Sequence, residues 1–553
     1  MGIYLNPGNE EFRMNREHKY VDKSGLIVFM NDRVNTSEQL VSFSRPRRFG
    51  KSYAAQMLCA YYDAGCDSSS LFDDLIIADA PTYRTFLNQF NVIYLDLAVF
   101  LSDVGSPENI PAFIKKQVTK EILQEFPNVK EDEVFAGTLI HAVKESGRKF
   151  VAIIDEWDVL IRDKDVSQAA QKEYLEFLRA LFKNSGTTNQ IFAAAYMTGI
   201  LPIKKDGTHT ALSNFDEYSM LEPQELAEYV GFTEAEVREL CEEAEGRATQ
   251  DFDRNADAGK QNQNDPVQTG TLYAQMKQWY DGYVLDGAGS VYNPNSVMKA
   301  LKHHKFKSYW QKTASSEALL DYIGLDYAGL SKTIAELIGG GSVKINADRF
   351  QNDIVSFRSQ DDVLTLLVHF GYLTYNEEEE TVNIPNEEIL REFTDAVKEV
   401  ELPETVRRVK DSRQLLEDIV MLKEEKVAEH IERIHDEETN PLYYNREEDL
   451  KSTIRLAMFC YRDYYIRFEE LPAGKGYADM VYLPKKRSNY PALVMELKWN
   501  EDSQGAISQI KDRNYPASIK DYGGEILLVG ISYDKEASGT SKKHNCRIEK
   551  FVK

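Results

Sequence analysis

The sequence predicts an α/β protein of several domains, with a parallel-sheet domain first and a smaller α/β unit last. Over the first 220 residues, apolar runs that suit buried strands alternate with amphipathic helical stretches: LVSF (40–43), NVIYLDLAVF (91–100), KFVAIIDEWDVLI (149–161) and QIFAAAYMTGIL (190–201). Such runs, separated by helices, are typical of a parallel sheet buried on both faces. At 553 residues the chain is also too long for a single hydrophobic core.

The division into domains follows from changes in these patterns. The sequence TEAE (233–236) has the form of a capping box at the start of a helical region, and the segment 246–270 is polar enough to predict a mobile insertion. We expect the following parts: an α/β domain at 1–220, a helical lid at 221–312, a small helical and winged-helix-like domain at 313–400, a helical connector at 401–440 and a second α/β domain at 441–553.

The charge distribution limits the partners that the chain is suited to bind. A net charge of −24 argues against a protein that coats nucleic acid. It favours protein partners for residues 1–440, the acidic body of the chain. The segment 441–553 differs, since it contains 19 Lys and Arg against 16 Asp and Glu, so it alone suits local contact with nucleic acid. The five cysteines include no CxxC pair, and no apolar run approaches the roughly 18 residues of a membrane span. We expect a cytoplasmic protein with no membrane contact, and the oligomeric state stays open.

The stretch SRPRRFGKSY (44–53) has the position and the ending of a phosphate-binding loop. It follows the predicted strand LVSF and leads into the helical stretch KSYAAQMLCAYYD. In such a loop, backbone N–H groups at a helix N-terminus surround the phosphates, the lysine reaches the terminal phosphates and the Ser or Thr hydroxyl binds Mg²⁺. This predicts an ATP site at Gly50 and Lys51, with Ser52 as a Mg²⁺ ligand.

The rest of this loop is unusual for such a site. Arg45 stands where the first glycine is normally found, and Arg47 and Arg48, followed by Phe49, add positive charge where phosphate would lie. A GKS triplet on its own is weak evidence, because a helix N-terminus can contain a lysine by chance. Two further predicted strands support a nucleotide site.

The strand VAIIDEWD ends in the acidic pair that a P-loop ATPase requires. Asp155 is predicted to hold Mg²⁺ through its coordination shell, and Glu156 to polarise the attacking water. An Asp-rich turn after a strand is the alternative interpretation. In AAAYMTG, Thr198 ends another buried strand, where it would be placed to sense the γ-phosphate.

The tail contains a second group of polar residues inside apolar strands. Asp479 opens one strand, and Glu496 and Lys498 lie two residues apart in LVMELKW, so alternation puts both side chains on one face of the sheet. Two carboxylates and a lysine can hold Mg²⁺ and orient a water for attack on a phosphodiester. Gln509, on the next helix, is placed to contact the same site, and a helix glutamate, Glu447 or Glu448, is a further candidate ligand.

Several motifs together resemble one known family. They are YVDKSGLI (20–27) before SRPRRFGKS, then IIDEWD, YMTGILPI, the WYDGY…YNP segment and FGYLT, and in the tail GxGxxD, ELK and AxxQI. With these motifs the chain resembles bacterial AAA-ATPase-like proteins that end in a PD-(D/E)xK nuclease-like domain. The resemblance implies an AAA-like P-loop NTPase fold with a parallel sheet, a helical lid and a restriction-endonuclease-like C-terminal domain. It also implies that an arginine at position 45 is a family trait.

Carried over to this sequence, the resemblance assigns the sites. The phosphate loop comprises Arg47, Gly50, Lys51 and Ser52, the acidic pair is Asp155 and Glu156, and the nuclease-like residues are Asp479, Glu496, Lys498 and Gln509. The tail departs from the family pattern at two places. Tyr477-Ala478 replaces a common basic residue, and YNREEDLK lacks the usual histidine, so the choice between Glu447 and Glu448 stays open.

Two functions are compatible with these residues. The first is an ATP-binding and ATP-hydrolysing protein that couples nucleotide state to a Mg²⁺-dependent nuclease-like tail acting on DNA or RNA. The alternative is an ATP-dependent signalling or interaction switch whose nuclease-like tail is not catalytic. An arginine finger would have to come from Arg162, Arg179 or a neighbouring molecule, and both arginines are expected to be ordinary surface residues.

Overall fold

The computed structural model describes most of the chain. The described residues are 2–104, 106–163, 165–203, 212–255, 272–310, 330–347, 350, 357, 359–400, 403–438, 447–458, 461–473, 476–485, 490–500, 502–512, 524–534 and 543–551. Residues 256–271, which include most of the predicted polar insertion, and residues 313–329 of the predicted small domain lie outside them.

The N-terminal part is built on a sheet of five parallel strands. They are β1 (Leu40–Ser44), β2 (Asn91–Asp96), β3 (Phe150–Asp155), β4 (Phe192–Gly199) and β5 (Asp216–Tyr218), in the order β2-β3-β4-β1-β5. The predicted parallel α/β sheet is therefore confirmed, and each of the four apolar runs contains one strand. The edge strand β5 was not predicted, because three residues of mixed polarity give no periodic signal.

One predicted run is not a single strand. The run 91–100 ends its strand at Asp96, whose carboxylate accepts hydrogen bonds from the backbone N–H groups of Ala98 at 3.0 Å and Val99 at 3.3 Å. A side chain in this position caps a helix N-terminus. The chain therefore turns into the helix Leu97–Asp103, and the acidic residue marks the boundary within the apolar run.

Helices cover both faces of this sheet, as the continuous apolar character of the strands predicts. On one face, Ile93 and Ile154 belong to a core that includes Leu139 and Phe177 from two helices. The helices of this part are Glu10–Arg16, Gly25–Arg33, Lys51–Tyr62, Ser69–Phe72, Tyr83–Phe86, Leu97–Asp103, Ile110–Glu125, Phe135–Ser146, Val159–Arg162, Gln168–Phe182 and Ser185–Ile191, with short 3₁₀ helices at Ile76–Asp79, Pro107–Asn109 and Gln224–Leu226.

The chain then forms small sheets and further helices. Strands β6 (Phe232–Thr233), β7 (Tyr283–Leu285) and β8 (Gly289–Tyr292) pair in the order β6-β8-β7. Strands β9 (Val343–Lys344), β10 (Thr374–Asn376) and β11 (Thr381–Asn383) pair in the order β10-β11-β9, and β10 and β11 form a hairpin around the acidic residues 377–380. The helices here are Glu234–Asn255, Leu272–Tyr280, Pro294–His303, Leu330–Ile338, Gln360–His369 and Glu387–Val400.

The C-terminal part contains a mixed sheet of five strands. They are β12 (Tyr465–Ala473), β13 (Gly476–Pro484), β14 (Ala492–Trp499), β15 (Ile526–Tyr533) and β16 (His544–Lys550), paired in chain order. β14 and β15 are parallel and the other pairs antiparallel. The accompanying helices are Pro403–Val420, Glu424–Glu438, Glu447–Ala457, Tyr461–Tyr464 and Ser503–Asp512. This confirms the predicted second α/β domain, although its edge strands β12 and β16 were not predicted.

The described residues form two compact units. The first comprises the residues up to 250 together with 272–310 and 344–388, and the second comprises those of 251–271, 311–343 and 389–553. The domain boundaries drawn from the sequence at 220, 312, 400 and 440 stay predictions. Within the described part of the chain, every helix is too short or too polar to cross a membrane.

Candidate functional site

The loop after β1 turns tightly before it enters a helix. Arg48 and Gly50 adopt left-handed backbone conformations, with φ of 67° and 100°. Gly50 is the N-cap of the helix Lys51–Tyr62, and a Cβ atom there would meet no atom within 4 Å. The backbone conformation, rather than lack of space, therefore favours glycine at position 50. The turn leaves the first backbone N–H groups of the helix without intrahelical partners, which is the geometry of an anion-binding helix N-terminus.

Lys51 is folded back over this loop. Its side chain is 4 % exposed, and its Nζ donates hydrogen bonds to the carbonyl oxygens of Arg45 and Pro46, each at 3.0 Å. The same Nζ lies 3.9 Å from Oε1 of Glu156. Burial lowers the pKa of Lys51, while the neighbouring carboxylates act in the opposite direction. The ammonium is thus held between the loop and the acidic end of β3.

Arg45 is buried and does not line the surface of the loop. Its Nη1 donates to the carbonyl oxygens of Ser219 at 2.7 Å and Ser44 at 3.0 Å, and the guanidinium lies 4.4 Å from the ring centre of Phe43. Its Nε and Nη2 have no hydrogen-bond partner among the described residues, and burial lowers its pKa to about 9. Arg45 therefore fastens the start of the loop to the protein interior.

Residues 47–49 of the loop differ in their surroundings. Arg48 donates a hydrogen bond to the carbonyl oxygen of Tyr309, and Phe49 is 1 % exposed with its ring edge-on to Tyr283 at 5.1 Å. Any contact of Phe49 with a nucleotide would therefore come from its backbone. Arg47 is half-buried, and burial lowers its pKa, as does the charge of Arg162. The predicted nucleotide contacts of Arg47, Arg48 and Phe49 stay predictions.

Asp155 ends β3 beside Ser52, as the sequence predicts for a pair of Mg²⁺ ligands. Its side chain is fully buried, Oδ1 accepts the backbone N–H of Glu156 at 3.0 Å, and Oδ2 has no hydrogen-bond partner among the described residues. Burial raises the pKa of Asp155 to about 6, and the Ser52 hydroxyl acts in the opposite direction. A buried carboxylate oxygen next to a hydroxyl is a suitable set of hard oxygen ligands for Mg²⁺.

Glu156 follows in a left-handed conformation with φ of 52°. Its carboxylate forms an ion pair with Arg162 through Oε2, besides its approach to Lys51. Burial alone would raise the pKa of Glu156, but Lys51, Arg162 and Arg47 together lower it. Arg162 is 8 % exposed, so the expectation that it is an ordinary surface arginine was wrong. Asp158 and Arg162 have the i,i+4 spacing of a helical ion pair, but the burial of this pair could not be read from the sequence. Arg179 is partly buried on the helix Gln168–Phe182.

Thr198 lies at the end of β4, the strand next to β3. It is fully buried, and its Oγ1 has no hydrogen-bond partner among the described residues. Its carbonyl oxygen accepts the backbone N–H of Trp157 at 3.0 Å, and the paired strands β3 and β4 end together after Ile154 and Met197. Thr198 and Asp155 therefore lie near the carboxyl ends of two neighbouring strands.

Two further acidic residues lie near the carboxyl ends of these strands and were not predicted from the sequence. Asp96 ends β2 in register with Asp155, and burial raises its pKa. Asp158 is fully buried and binds Arg162. The signal for Asp96 was present, since a single aspartate interrupts an otherwise apolar run. Asp158 gave no distinguishing signal, because it is one of several acidic residues after β3.

In the second unit, Asp479 and Glu496 lie on adjacent strands. Asp479 Oδ2 accepts the backbone N–H of Leu497 at 2.8 Å. Glu496 is 3 % exposed and accepts a hydrogen bond from the side-chain amide of Gln509. Lys498 Nζ donates to Oε1 of the same Gln509 at 2.5 Å. The structure thus brings together the predicted residues Glu496, Lys498 and Gln509 in one hydrogen-bonded chain beside Asp479.

A further residue of this site was missed. Lys451, on the helix Glu447–Ala457, has its Nζ 3.5 Å from Oδ1 of Asp479, with both side chains mostly buried. Glu447 and Glu448 begin this helix, but their side chains lie outside the described part of the structure. The predicted role of Glu448 as a catalytic carboxylate therefore stays a prediction.

Comparison with known proteins now adds to this geometry. Residues 8–209 match a family model described as a predicted AAA-ATPase, and residues 445–542 match a model of the PD-(D/E)XK nuclease superfamily. The chain combines an AAA-ATPase-like domain with a PD-(D/E)XK nuclease-like domain. The resemblance seen in the sequence motifs is thereby confirmed for both domains, while a bacterial origin stays a prediction.

Solved structures add little to this assignment. The Aeropyrum pernix ORC2 protein, solved in ADPNP-ADP complexes, is 11% identical over 69% of this chain and 96% of its own, with a TM-score of 0.29. CDC6P from Pyrobaculum aerophilum is 10% identical over 68% of this chain and 93% of its own, with a TM-score of 0.21. Scores this low carry no argument. No curated protein matches the chain.

Both domains have residues that suit a divalent cation. Among the described residues, no group of three or more His, Cys, Asp or Glu side chains could hold a metal ion on its own. Mg²⁺ usually keeps several waters and is held by one or two carboxylates together with substrate phosphates. Asp155 with Ser52 in the AAA-ATPase-like domain, and Asp479 with Glu496 in the nuclease-like domain, fit that requirement.

Proposed function

We propose that the AAA-ATPase-like domain binds and hydrolyses ATP with Mg²⁺. The observation that carries the proposal is the position of Lys51 between the phosphate loop and the two acidic residues that end β3. Lys51 would place its charge on the terminal phosphates, and Asp155 with Ser52 would hold Mg²⁺. The cation, when bound, supplies positive charge that neutralises the phosphate oxygens.

The remaining residues would act on the attacking water and the transferred phosphoryl group. Glu156 is held ionised by its cationic neighbours, and a carboxylate in that state can accept a hydrogen bond from water and orient it. Thr198 supplies a buried hydroxyl at the end of β4 that has no other partner among the described residues. We infer that it contacts the γ-phosphate and that Arg47 supports the phosphates from the loop.

ATP binding and hydrolysis are tested separately. Lys51→Ala should weaken the binding of a non-hydrolysable ATP analogue by at least about tenfold, because a charge-assisted contact to phosphate is lost. The exposed Lys183→Ala is the matched control and should bind like the wild type. Glu156→Gln should bind the analogue but lose most phosphate release. Unchanged binding in Lys51→Ala would refute the nucleotide site, and unchanged phosphate release in Glu156→Gln would refute the role of Glu156.

We further propose that the nuclease-like domain cleaves DNA or RNA with Mg²⁺. Asp479 and Glu496 would hold the cation, and Lys498, oriented by Gln509, would stabilise charge on the phosphodiester. The hydrogen-bonded chain from Lys498 through Gln509 to Glu496 supports this proposal. The test is cleavage of single- and double-stranded DNA and of RNA with Mg²⁺ or EDTA. Lys498→Ala should abolish it, and the exposed Lys550→Ala should not.

One observation favours the alternative of a non-catalytic tail in an ATP-dependent switch. Asp479 is already ion-paired with Lys451, which would compete with a cation for that carboxylate. If the wild type leaves DNA and RNA equally intact with Mg²⁺ and with EDTA, the tail is a binding module. We propose in either case that ATP state controls the tail. The test of this coupling measures cleavage by the tail, or the capture of a protein partner by the acidic body, with and without the non-hydrolysable ATP analogue.

A further inference from the structure

A buried aspartate links the end of β4 to the segment after β3. Asp158 is fully buried, and its carboxylate accepts the backbone N–H of Leu201 at 2.8 Å and of Ile200 at 3.2 Å. A Cβ atom on Gly199 would lie 2.6 Å from Oδ1 of Asp158. The glycine that ends β4 therefore permits the close approach of this carboxylate to the backbone that follows it.

Arg162 joins this aspartate to Glu156. Its Nε donates to Oδ2 of Asp158 at 2.7 Å, and its Nη2 pairs with Oε2 of Glu156. The two contacts use different nitrogens of one planar guanidinium, so the two carboxylates are fixed relative to each other. Because Asp158 is itself fixed by Ile200 and Leu201, the position of the backbone after Thr198 determines where Arg162 holds Glu156.

No other described contact fixes the Glu156 carboxylate so closely, since Lys51 lies 3.9 Å away and is engaged with the loop carbonyls. A carboxylate that must orient a water needs a defined direction as well as a charge. The guanidinium of Arg162, paired with Oε2 of Glu156, supplies this direction.

We propose that Arg162 is a positioning residue for hydrolysis, which holds the Glu156 carboxylate in place and connects it through Asp158 to the end of the strand that carries Thr198. This inference rests on the proposed ATPase function. It predicts that loss of Arg162 lowers kcat while nucleotide affinity is nearly preserved, because Arg162 is saturated by two carboxylates rather than directed at the phosphates.

The test compares Arg162→Gln and Arg162→Lys with Arg148→Gln. Arg148 is exposed and lies just before the first residue of β3, away from the acidic end of that strand. Arg162→Gln should lower kcat roughly 10- to 100-fold, at most the lower end of the roughly 10²- to 10⁴-fold contribution of an acid–base group, because Glu156 itself remains. KM and the affinity for a non-hydrolysable ATP analogue should stay within about threefold of the wild type. Arg162→Lys should recover part of kcat, since lysine keeps the charge but not the fork. Arg148→Gln should match the wild type. Wild-type kcat in folded Arg162→Gln would overturn the proposal.

The comparison of kcat with KM and analogue affinity is the readout that a merely structural role would not reproduce. Loss of structure around the loop would weaken analogue binding together with kcat, whereas loss of the contact from Arg162 to Glu156 should lower kcat alone. If Arg162→Gln does not fold, Arg162→Lys decides alone, and wild-type kcat in it would overturn the proposal.

Failure of the proposed function would be recognised separately. A wild type that binds the analogue but releases no phosphate would refute hydrolysis. A wild type that releases phosphate, with equal kcat in folded Arg162→Gln, would leave the proposed function standing and refute the role of Arg162 alone.

Discussion

A Cβ atom on Gly530 would lie only 2.4 Å from the backbone carbonyl oxygen of Ser503. Gly530 sits in β15 opposite Glu496 of β14, and Ser503 begins the helix that carries Gln509. The absence of a side chain at position 530 therefore lets this helix approach the sheet closely enough for Gln509 to contact Glu496 and Lys498.

Gly530→Val should accordingly disturb the nuclease-like site. The added side chain meets a backbone atom and the Cβ of Ala506 at 3.0 Å, so the helix must shift, at a cost of about 1–3 kcal/mol in the free energy of unfolding. Thermal unfolding and Mg²⁺-dependent cleavage should both decline. Gly505→Ala is the control, because its Cβ would approach only the side chain of Asp502. Equal effects of the two variants would contradict this account.

Asp155→Asn should stabilise the nucleotide-free protein and impair the ATP site. The folded pKa of about 6 lies above the ordinary aspartate value, so the stability contributed by this group is complete below about pH 4 and is lost as pH rises through 6. At pH 7.5 the neutral amide avoids a buried charge, which is worth up to about 3 kcal/mol.

Thermal unfolding with and without Mg²⁺-ATP measures both effects of that substitution. The melting temperature of Asp155→Asn alone should exceed that of the wild type, and the increase on adding Mg²⁺-ATP should be smaller. The exposed Asp103→Asn serves as control and should change neither value. A less stable Asp155→Asn variant at pH 7.5 would show that the carboxylate is stabilising in the folded state.

Arg45→Gly should not improve nucleotide binding, although it restores the glycine usual in phosphate loops. The side chain is fully buried and bonded to Ser219, so its removal leaves a cavity and costs about 2–5 kcal/mol, as for other large-to-small substitutions in cores. Arg45→Met keeps most of the side-chain volume and removes a buried charge, so its free energy of unfolding should fall less than that of Arg45→Gly. Denaturant unfolding and analogue affinity of both variants check this, and a tighter-binding, equally stable Arg45→Gly would refute it.

A buried histidine pair should make the C-terminal unit sensitive to acid. Nδ1 of His435 lies 2.8 Å from Nε2 of His544, and burial lowers the pKa of His544 to about 3, with His435 acting in the same direction. The unfolded chain therefore binds a proton below about pH 6.5 that the folded chain does not, and stability falls by about 1.4 kcal/mol per pH unit as pH drops toward 3.

Hydrogen exchange in β15 and β16 between pH 7 and 4.5, corrected for intrinsic rates, measures this loss. His544→Phe should show a shallower dependence on pH than the wild type, whatever its stability at pH 7. His303→Phe, in the first unit, is the control and should retain the wild-type slope in these strands. An unchanged slope in His544→Phe would exclude His544 as the acid-sensitive group.

The sequence predicted the elements that carry local signals. Buried parallel strands are continuous apolar runs, a phosphate loop needs Gly50, Lys51 and Ser52 in that order, and a nuclease strand needs Glu496 and Lys498 two residues apart. These patterns depend on neighbours in the chain, so the α/β fold of both domains could be predicted from them. The short edge strands could not be predicted, because pairing at the edge of a sheet imposes few requirements on the side chains.

Contacts between residues distant in sequence were decided by the tertiary structure. The burial of Arg45 against Ser219, the ion pair of Lys451 with Asp479 and the bonds from Asp158 to the backbone after β4 each join separate elements. The sequence shows that these side chains are charged but not which partners they contact. Their partners are known only once strand order and helix packing bring them within hydrogen-bonding distance, because a contact between separate elements depends on position in space and not on spacing along the chain.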